Sequence, residues 1–185
     1  MGPPNTGFSP LLSPYGPFYC IFRWDLSTFD HPPPEHGDVL VRIARDDEIP
    51  AAAEAWHRGL ANEEGSPWAN YLKSWTPTSA AKWFQDAVRR QGARILIAEK
   101  DGKIVGMNGT VFEKRSGHAR FLTGIVVVPE QRRQGVGSSI LHRSLSEAKK
   151  EGLRSAEVET IQGITAAKYL YTKFGGHEKI VTAQA

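Results

Sequence analysis

Cysteine is nearly absent. Cys20 stands alone among 185 residues, so the chain can form no internal disulfide and no cysteine-based zinc site, and it asks for no oxidising compartment. Long apolar runs are missing too. No stretch nears the ~18 residues of a membrane span, and the first residues lack both a basic start and an unbroken apolar core. The expectation is a cytoplasmic protein with no membrane partner and no signal peptide. Charge of one sign is scarce: 23 Lys and Arg against 20 Asp and Glu leave a net +3, too little to argue for nucleic acid without a basic stripe. Residues 1–36 carry Arg23 against Asp25, Asp30 and Glu35, so the cationic surplus belongs to the remainder and suits an anionic ligand. An apolar content of 40% and a charged content of 23% are ordinary globular values. With ~100–200 residues to a domain, the chain reads as one domain with an appendage.

Proline is abundant at one end. Eight of the twelve prolines fall in residues 1–36, a density that excludes helices and interior strands there. Residues 1–37 read as a proline-rich N-terminal extension to a domain over 38–185. Phe18 to Trp24 breaks that pattern, with five apolar or aromatic side chains, no proline and the character of a strand.

From Asp38 the periodicity becomes regular. Val39, Val41 and Ile43 alternate as in a half-buried strand, and Ile49, Ala53, Trp56 and Leu60 share one helical face. Thr76-Pro77 caps a second helix carrying Ala80, Phe84, Ala87 and Val88. Ile95–Glu99 and Ile104–Glu113 flank Asp101-Gly102, a strong hairpin signal. Phe121–Val128 reads as one buried fourth strand. A helix then opens at Ser138, with Leu141, Leu145 and Ala148 on one face, and Ala156–Ile161 is a fifth strand. Thr165 caps a last helix ending at Gly175-Gly176, and a short strand runs through Ile180 and Val181.

The segment Val127-Val128-Pro129-Glu130-Gln131-Arg132-Arg133-Gln134-Gly135-Val136-Gly137-Ser138 joins a buried strand to an amphipathic helix. Backbone N–H groups at a helix start lack intrahelical partners, the dipole adds positive charge, and glycine lets a phosphate approach closely, so the segment is an anion cradle. A dinucleotide fingerprint needs a third glycine where Ile140 stands, and a P-loop needs a lysine where Ser138 stands. Arg132, Gly135 and Gly137 after Val-x-Pro instead resemble the acyl-CoA pyrophosphate loop of the GNAT superfamily of N-acetyltransferases. Ala167, Tyr171, Lys173 and Gly175 are similar to a second motif of that superfamily, and lie after the fifth strand as its order of elements requires.

The resemblance spans about residues 38–183 and implies an α/β fold. Its mixed, mostly antiparallel twisted sheet has six to seven strands, with about four helices on its faces, splayed between the fourth and fifth strands. It implies acetyl-CoA as cosubstrate, with no metal, held by Ile125, Val126, Val127, Arg132, Arg133, Gln134, Gly135, Val136, Gly137, Ser138 and Thr165. It also implies acetyl transfer to a primary amine, with Tyr171 protonating the departing thiolate. Tyr169, on another face, is the lesser donor.

The base stays open. Many relatives carry a carboxylate early in the fourth strand, where this chain reads Arg120-Phe121-Leu122-Thr123-Gly124-Ile125. Glu113, His118, Glu157 and Glu159 are candidates, each read first as a solvated surface group, and a water chain serves as well. Ile164 and Gly176 stand where the family often has Asn and Phe. Glu63, Glu64, Trp68, Tyr71 and Trp75 are candidate acceptor contacts through charge and cation–π attraction; the partner is an amine-bearing small molecule or a protein amino group. Since few residues follow Phe174, Phe18–Trp24 is expected to supply an extra strand, from its own chain or across an exchanged homodimer. A non-catalytic acyl-CoA-binding or regulatory module remains an alternative, as does a nucleic-acid-binding domain resting on basic pairs alone.

Overall fold

A computed structural model describes residues 18–35, 37–61, 72–161 and 165–182. In chain order these form β1 (Phe18–Asp25), β2 (Leu40–Ile43), α1 (Ile49–Ala61), α2 (Pro77–Gln91), β3 (Arg94–Lys100), β4 (Lys103–Glu113), β5 (His118–Phe121) and β6 (Val126–Val127). Then follow α3 (Val136–Lys150), β7 (Ser155–Ile161), α4 (Thr165–Lys173) and β8 (His177–Thr182). The strands make one sheet in the order β2-β3-β4-β5-β7-β1-β8, with β6 also paired to β4. Every pairing is antiparallel except β5 with β7.

Local signals account for most boundaries. Thr76 accepts a hydrogen bond from the Ser79 N–H at 3.1 Å and Pro77 opens α2, which stops at left-handed Gly92. Asp101 and Gly102 take φ of 51° and 72°, the pair of positive angles that a tight hairpin between right-twisted strands demands. The sheet's two faces are then covered separately. Trp56, Trp75 and Phe84 pack over Ile95, Ile97 and Met107 on one side; Leu141, Leu145, Tyr171 and Phe174 pack over Phe22, Trp24, Ala156 and Val158 on the other.

The continuous strand expected over Phe121–Val128 is broken at residues 122–125. The cause is a buried amide. Asn108 donates from Nδ2 to the Thr123 carbonyl at 2.9 Å, and the Trp56 indole donates to Thr123 Oγ1 at 3.0 Å. Side chains thereby take Thr123 out of the ladder. Asn108 is fully buried, so its own carbonyl oxygen must be satisfied, and it accepts from Thr110 Oγ1 at 2.7 Å and Ser144 Oγ at 3.2 Å. With the fourth strand split and Phe18–Asp25 in the sheet, the described residues form eight strands where six or seven were expected. The third helix also starts at Val136, two residues before Ser138.

β1 lies antiparallel between β7 and β8 of its own chain, with Phe22 opposite Val158 and Glu178. Cys20, Phe22 and Trp24 are buried on its inner face while Arg23 and Asp25 are exposed, the period-2 alternation of a half-covered strand. Beyond β1 the chain passes toward β2 at the far edge of the sheet. Leu26 and Phe29 are buried along this path, His142 Nε2 lies 2.8 Å from the His31 carbonyl, and Lys149 Nζ donates to the Phe29 carbonyl. Among the described residues no helix is long and apolar enough to cross a membrane.

α3 and β6 both crowd β4 at Gly106, where a Cβ would lie 2.8 Å from Ile140 Cδ1 and 2.9 Å from the Val126 carbonyl oxygen. Gly106→Ala is therefore expected to lower stability by about 1–3 kcal/mol, the usual cost of overpacking, in a urea titration. An unchanged midpoint would show that the helix shifts freely.

Candidate active site

β5 pairs with β7 as far as Arg120 and Glu157; past the break, β6 pairs among the described residues only with β4. The sheet opens there into a cavity of about 830 Å³. One wall is Thr123 to Val127, the opposite wall is Glu159 and Thr160 of β7 with Tyr169, Leu170 and Tyr171 of α4, and the floor is the loop entering α3.

That loop is shaped for an anion. Arg133 and Gly135 take left-handed φ of 59° and 80°, and Gly135 precedes α3 without any side-chain cap. The first helical bond is Ser139 N–H to the Gly135 carbonyl at 3.0 Å, so the N–H groups of Val136, Gly137 and Ser138 have no intrahelical acceptor and carry the positive end of the dipole. A Cβ on Gly137 would project between Leu170 Cδ2 at 3.4 Å and the Cγ2 atoms of Ile125 and Val127 at 3.7 Å, in the throat between α4 and β6.

Ile125, Val126, Val127, Arg132, Arg133, Gly135, Val136, Gly137 and Ser138 all line the cavity. Gln134 does not. It accepts from Lys100 Nζ at 3.2 Å and donates to the Glu130 carbonyl at 3.2 Å, bracing the loop from outside. Arg132 is engaged by backbone: Nε donates to the Val127 carbonyl at 3.2 Å and Nη2 to the Gly59 carbonyl. Its guanidinium ties the loop to the end of α1. Arg133 is an exposed cation at the cavity. The side chain of Thr165 and the residues Glu63, Glu64, Trp68, Tyr71 and Ile164 lie outside the described residues. Trp75 is a core residue rather than an acceptor contact, 6% exposed and packed on Trp56 and Trp83 with ring centroids 5.6 Å away.

Tyr171 reaches the cavity from α4 and is 2% exposed. Its Oη accepts from the Ile125 N–H at 3.3 Å, and a Cβ on Gly124 would lie 2.8 Å from that oxygen. Only glycine leaves the phenol this place. Burial pushes the phenol up to about 12, against the pull of the Ile125 N–H, which favours the phenolate. Tyr169 is 72% exposed and borders the opening.

The four base candidates are separated by the geometry. Glu113 pairs with Arg120 at 3.4 Å, His118 Nδ1 lies 2.8 Å from Ser155 Oγ, and Glu157 binds Arg23 Nε at 2.8 Å. None of these three lines the cavity; Glu159 does. Removal from water raises its carboxyl to about 7, with the neighbouring Glu157 adding to the shift and Arg120 opposing it. Glu159 alternates with buried Val158 and Thr160, so it leaves β7 on the face opposite α4. The sequence contains that alternation but not the break in the sheet that brings the cavity to it.

The acetyltransferase (GNAT) family model matches residues 60–176, and the chain belongs to that family. No curated protein matches it in sequence. Among solved structures, it is similar to the PaiA N-acetyltransferase of Thermoplasma acidophilum in complex with coenzyme A. That likeness has 15% identity and a TM-score of 0.62, over 74% of this chain and 88% of the other. An N-acetyltransferase of Staphylococcus aureus Mu50 shares 20% identity with a TM-score of 0.61, over 75% and 82% of the two chains. The ribosomal-protein-alanine N-acetyltransferase of Brucella melitensis shares 20% with a TM-score of 0.59, over 74% and 83%. At these identities the likeness is one of fold: mixed α/β, four helices and a mostly antiparallel sheet.

Glu159 carries a pH-dependent prediction. Its folded pKa of about 7 exceeds the ordinary 4.5, so its stabilising contribution is complete below pH ~4.5 and is lost as pH rises through about 7. Glu159→Gln should therefore gain melting temperature over wild type as the buffer moves from pH 5.5 to pH 8. A constant difference across that range would mean the carboxyl is well solvated.

Proposed function

We propose that this chain moves an acetyl group from acetyl-CoA directly to a primary amine. The observation that carries the reading is one continuous space bordered by an anion cradle, a buried phenol and a carboxyl with a near-neutral pKa. The residues present fit the cosubstrate: the uncapped N–H groups of Val136, Gly137 and Ser138, with Arg133, match a pyrophosphate, and the gap between β6 and β7 opens onto the same cavity, where the pantetheine arm would lie.

Acetyl-CoA supplies an acetyl thioester that is open to attack by an amine and leaves a thiolate. An ammonium has no lone pair, and Glu159, ionised above pH ~7, is the group on the cavity wall able to take its proton. Tyr171 holds its own proton at any physiological pH, and no acceptor among the described residues takes it. The Ile125 N–H fixes Oη from one side and leaves the O–H to donate into the cavity. The phenol's pKa of about 12 already includes the help of that N–H, so the proton moves uphill to a thiolate whose thiol lies near ~8.5, and the donation depends on the sulfur being held against Oη. The two groups reach the one cavity from opposite faces of the sheet.

Calorimetry of acetyl-CoA with wild type and Gly137→Glu tests the cradle without an acceptor: saturable one-to-one binding is expected, and its loss in the variant. No wild-type binding at millimolar acetyl-CoA would overturn the reading.

Thiol release with spermidine, glucosamine, ethanolamine and an alanyl peptide then tests transfer. With the best of these, Glu159→Gln should lower kcat about 10²–10⁴-fold and abolish the limb of kcat/KM near pH 7, while Tyr171→Phe should lower kcat at unchanged acetyl-CoA affinity. Binding without any thiol release would instead favour a non-catalytic acyl-CoA module.

A further inference from the structure

The tyrosine that the proposed reaction uses sits on α4, a helix of nine residues, too short to hold a side chain in place by its own stability. What holds the ring comes from elsewhere. Phe22 of β1 packs on it at a centroid distance of 5.3 Å, and Trp24 of β1 meets it edge-on at 5.7 Å and 90°. Trp24 is stacked in turn on Phe121 of β5 at 5.9 Å and 20°. Phe22 and Trp24 are 0% and 1% exposed, so the three rings are a packed unit that excludes water from the phenol.

Two details tie this unit to β1 specifically. At Gly176 a Cβ would lie 2.9 Å from Trp24 Cε2 and Cζ2 and 2.8 Å from the Tyr171 carbonyl oxygen, so the turn after α4 is cut back to admit the indole. The indole N–H is buried and has no hydrogen-bond partner among the described residues. A buried donor left unpaired is a cost, so the indole contributes through its size and shape. Register adds a third link. β1 sets Ile21 opposite Glu159 and Phe22 opposite Val158, and therefore borders the strand of the base while its inner face packs on the acid.

We propose that β1 is a working part of the active site, with Phe22 and Trp24 as positioning residues that hold the Tyr171 phenol against the Ile125 N–H and keep it dry for proton donation. This rests on the acetyltransfer reading above and adds that the acid's placement is dictated from outside the segment that the family model matches, since β1 precedes residue 60. Indole loss lets Oη drift from Ile125 and admits water, and both changes act on the chemical step while leaving the cradle in α3 untouched.

The test is a double-mutant cycle in the full chain. Trp24→Leu, Tyr171→Phe and the double variant are compared for acetyl-CoA affinity by calorimetry and for thiol release with the best amine of the panel. The release of thiol from acetyl-CoA in water alone serves as a second assay. Trp24→Leu should lower kcat about tenfold or more, with acetyl-CoA affinity within about twofold of wild type, and should change nothing further in a chain that already carries Tyr171→Phe. Trp24→Phe should restore most of the rate. Should Trp24→Leu fail to fold, Gly176→Ala presses on the same indole from the other side and is expected to give the same non-additive loss. Equal losses with and without the Tyr171→Phe change, or a parallel loss of acetyl-CoA binding, would overturn the positioning role and leave the acetyltransfer reading standing. Absence of thiol release by wild type in both assays would overturn both.

Discussion

The sheet opens because the Thr123 carbonyl is held by the Asn108 amide and not by a neighbouring strand. Everything at the site follows from that displacement. With Thr123 turned aside, β6 pairs among the described residues only with β4, the second half of β7 faces a gap, and the phenol of α4 and the carboxyl of β7, on opposite faces of the sheet, meet the same space. The device is expensive to assemble, since a buried amide must have its own acceptor satisfied. Thr110 and Ser144, from β4 and α3, supply those bonds. The polar pin is thus braced by the strand and the helix that the site needs in register.

Around the pin, small residues set the distances. Gly124 leaves room for the Tyr171 oxygen, Gly106 lets α3 rest on the backbone of β4, and Gly137 keeps the throat open. Arg132 then fastens the loop to α1 through the Gly59 carbonyl. A residue that sequence motifs assign to phosphate is here also a structural tie, so its removal changes the shape of the cradle as well as its charge.

Features with a local cause were legible in the sequence. An uncapped glycine loop at a helix start, a hairpin on Asp101-Gly102 and a tyrosine two residues before a lysine and four before a glycine can all be read from short windows. What could not be read depends on contacts far apart in the chain. Glu113, His118, Glu157 and Glu159 look alike in sequence; they differ because Arg120, Ser155 and Arg23 engage the first three while the split strand exposes the fourth to the cavity. Trp75 matched an acceptor loop by composition and was placed in the core by Trp56 and Trp83. The break at 122–125 was invisible for the same reason: an apolar, β-branched run has every local mark of a continuous strand, and the amide that interrupts it lies on β4.

The position of β1 also shapes how the chain comes to its fold. Arg23 and Glu157, paired across β1 and β7, are separated by 134 residues, and β8 is later still. During synthesis the strand made first among the described elements waits for the two made last, with Cys20, Phe22 and Trp24 forming an apolar edge that has nothing to pair with in the interval. Long-range pairing of this kind slows folding and leaves such an edge open to other chains. The nascent polypeptide therefore completes its sheet only after β8 has emerged from the ribosome, by a closing step that brings its first described strand beside its last.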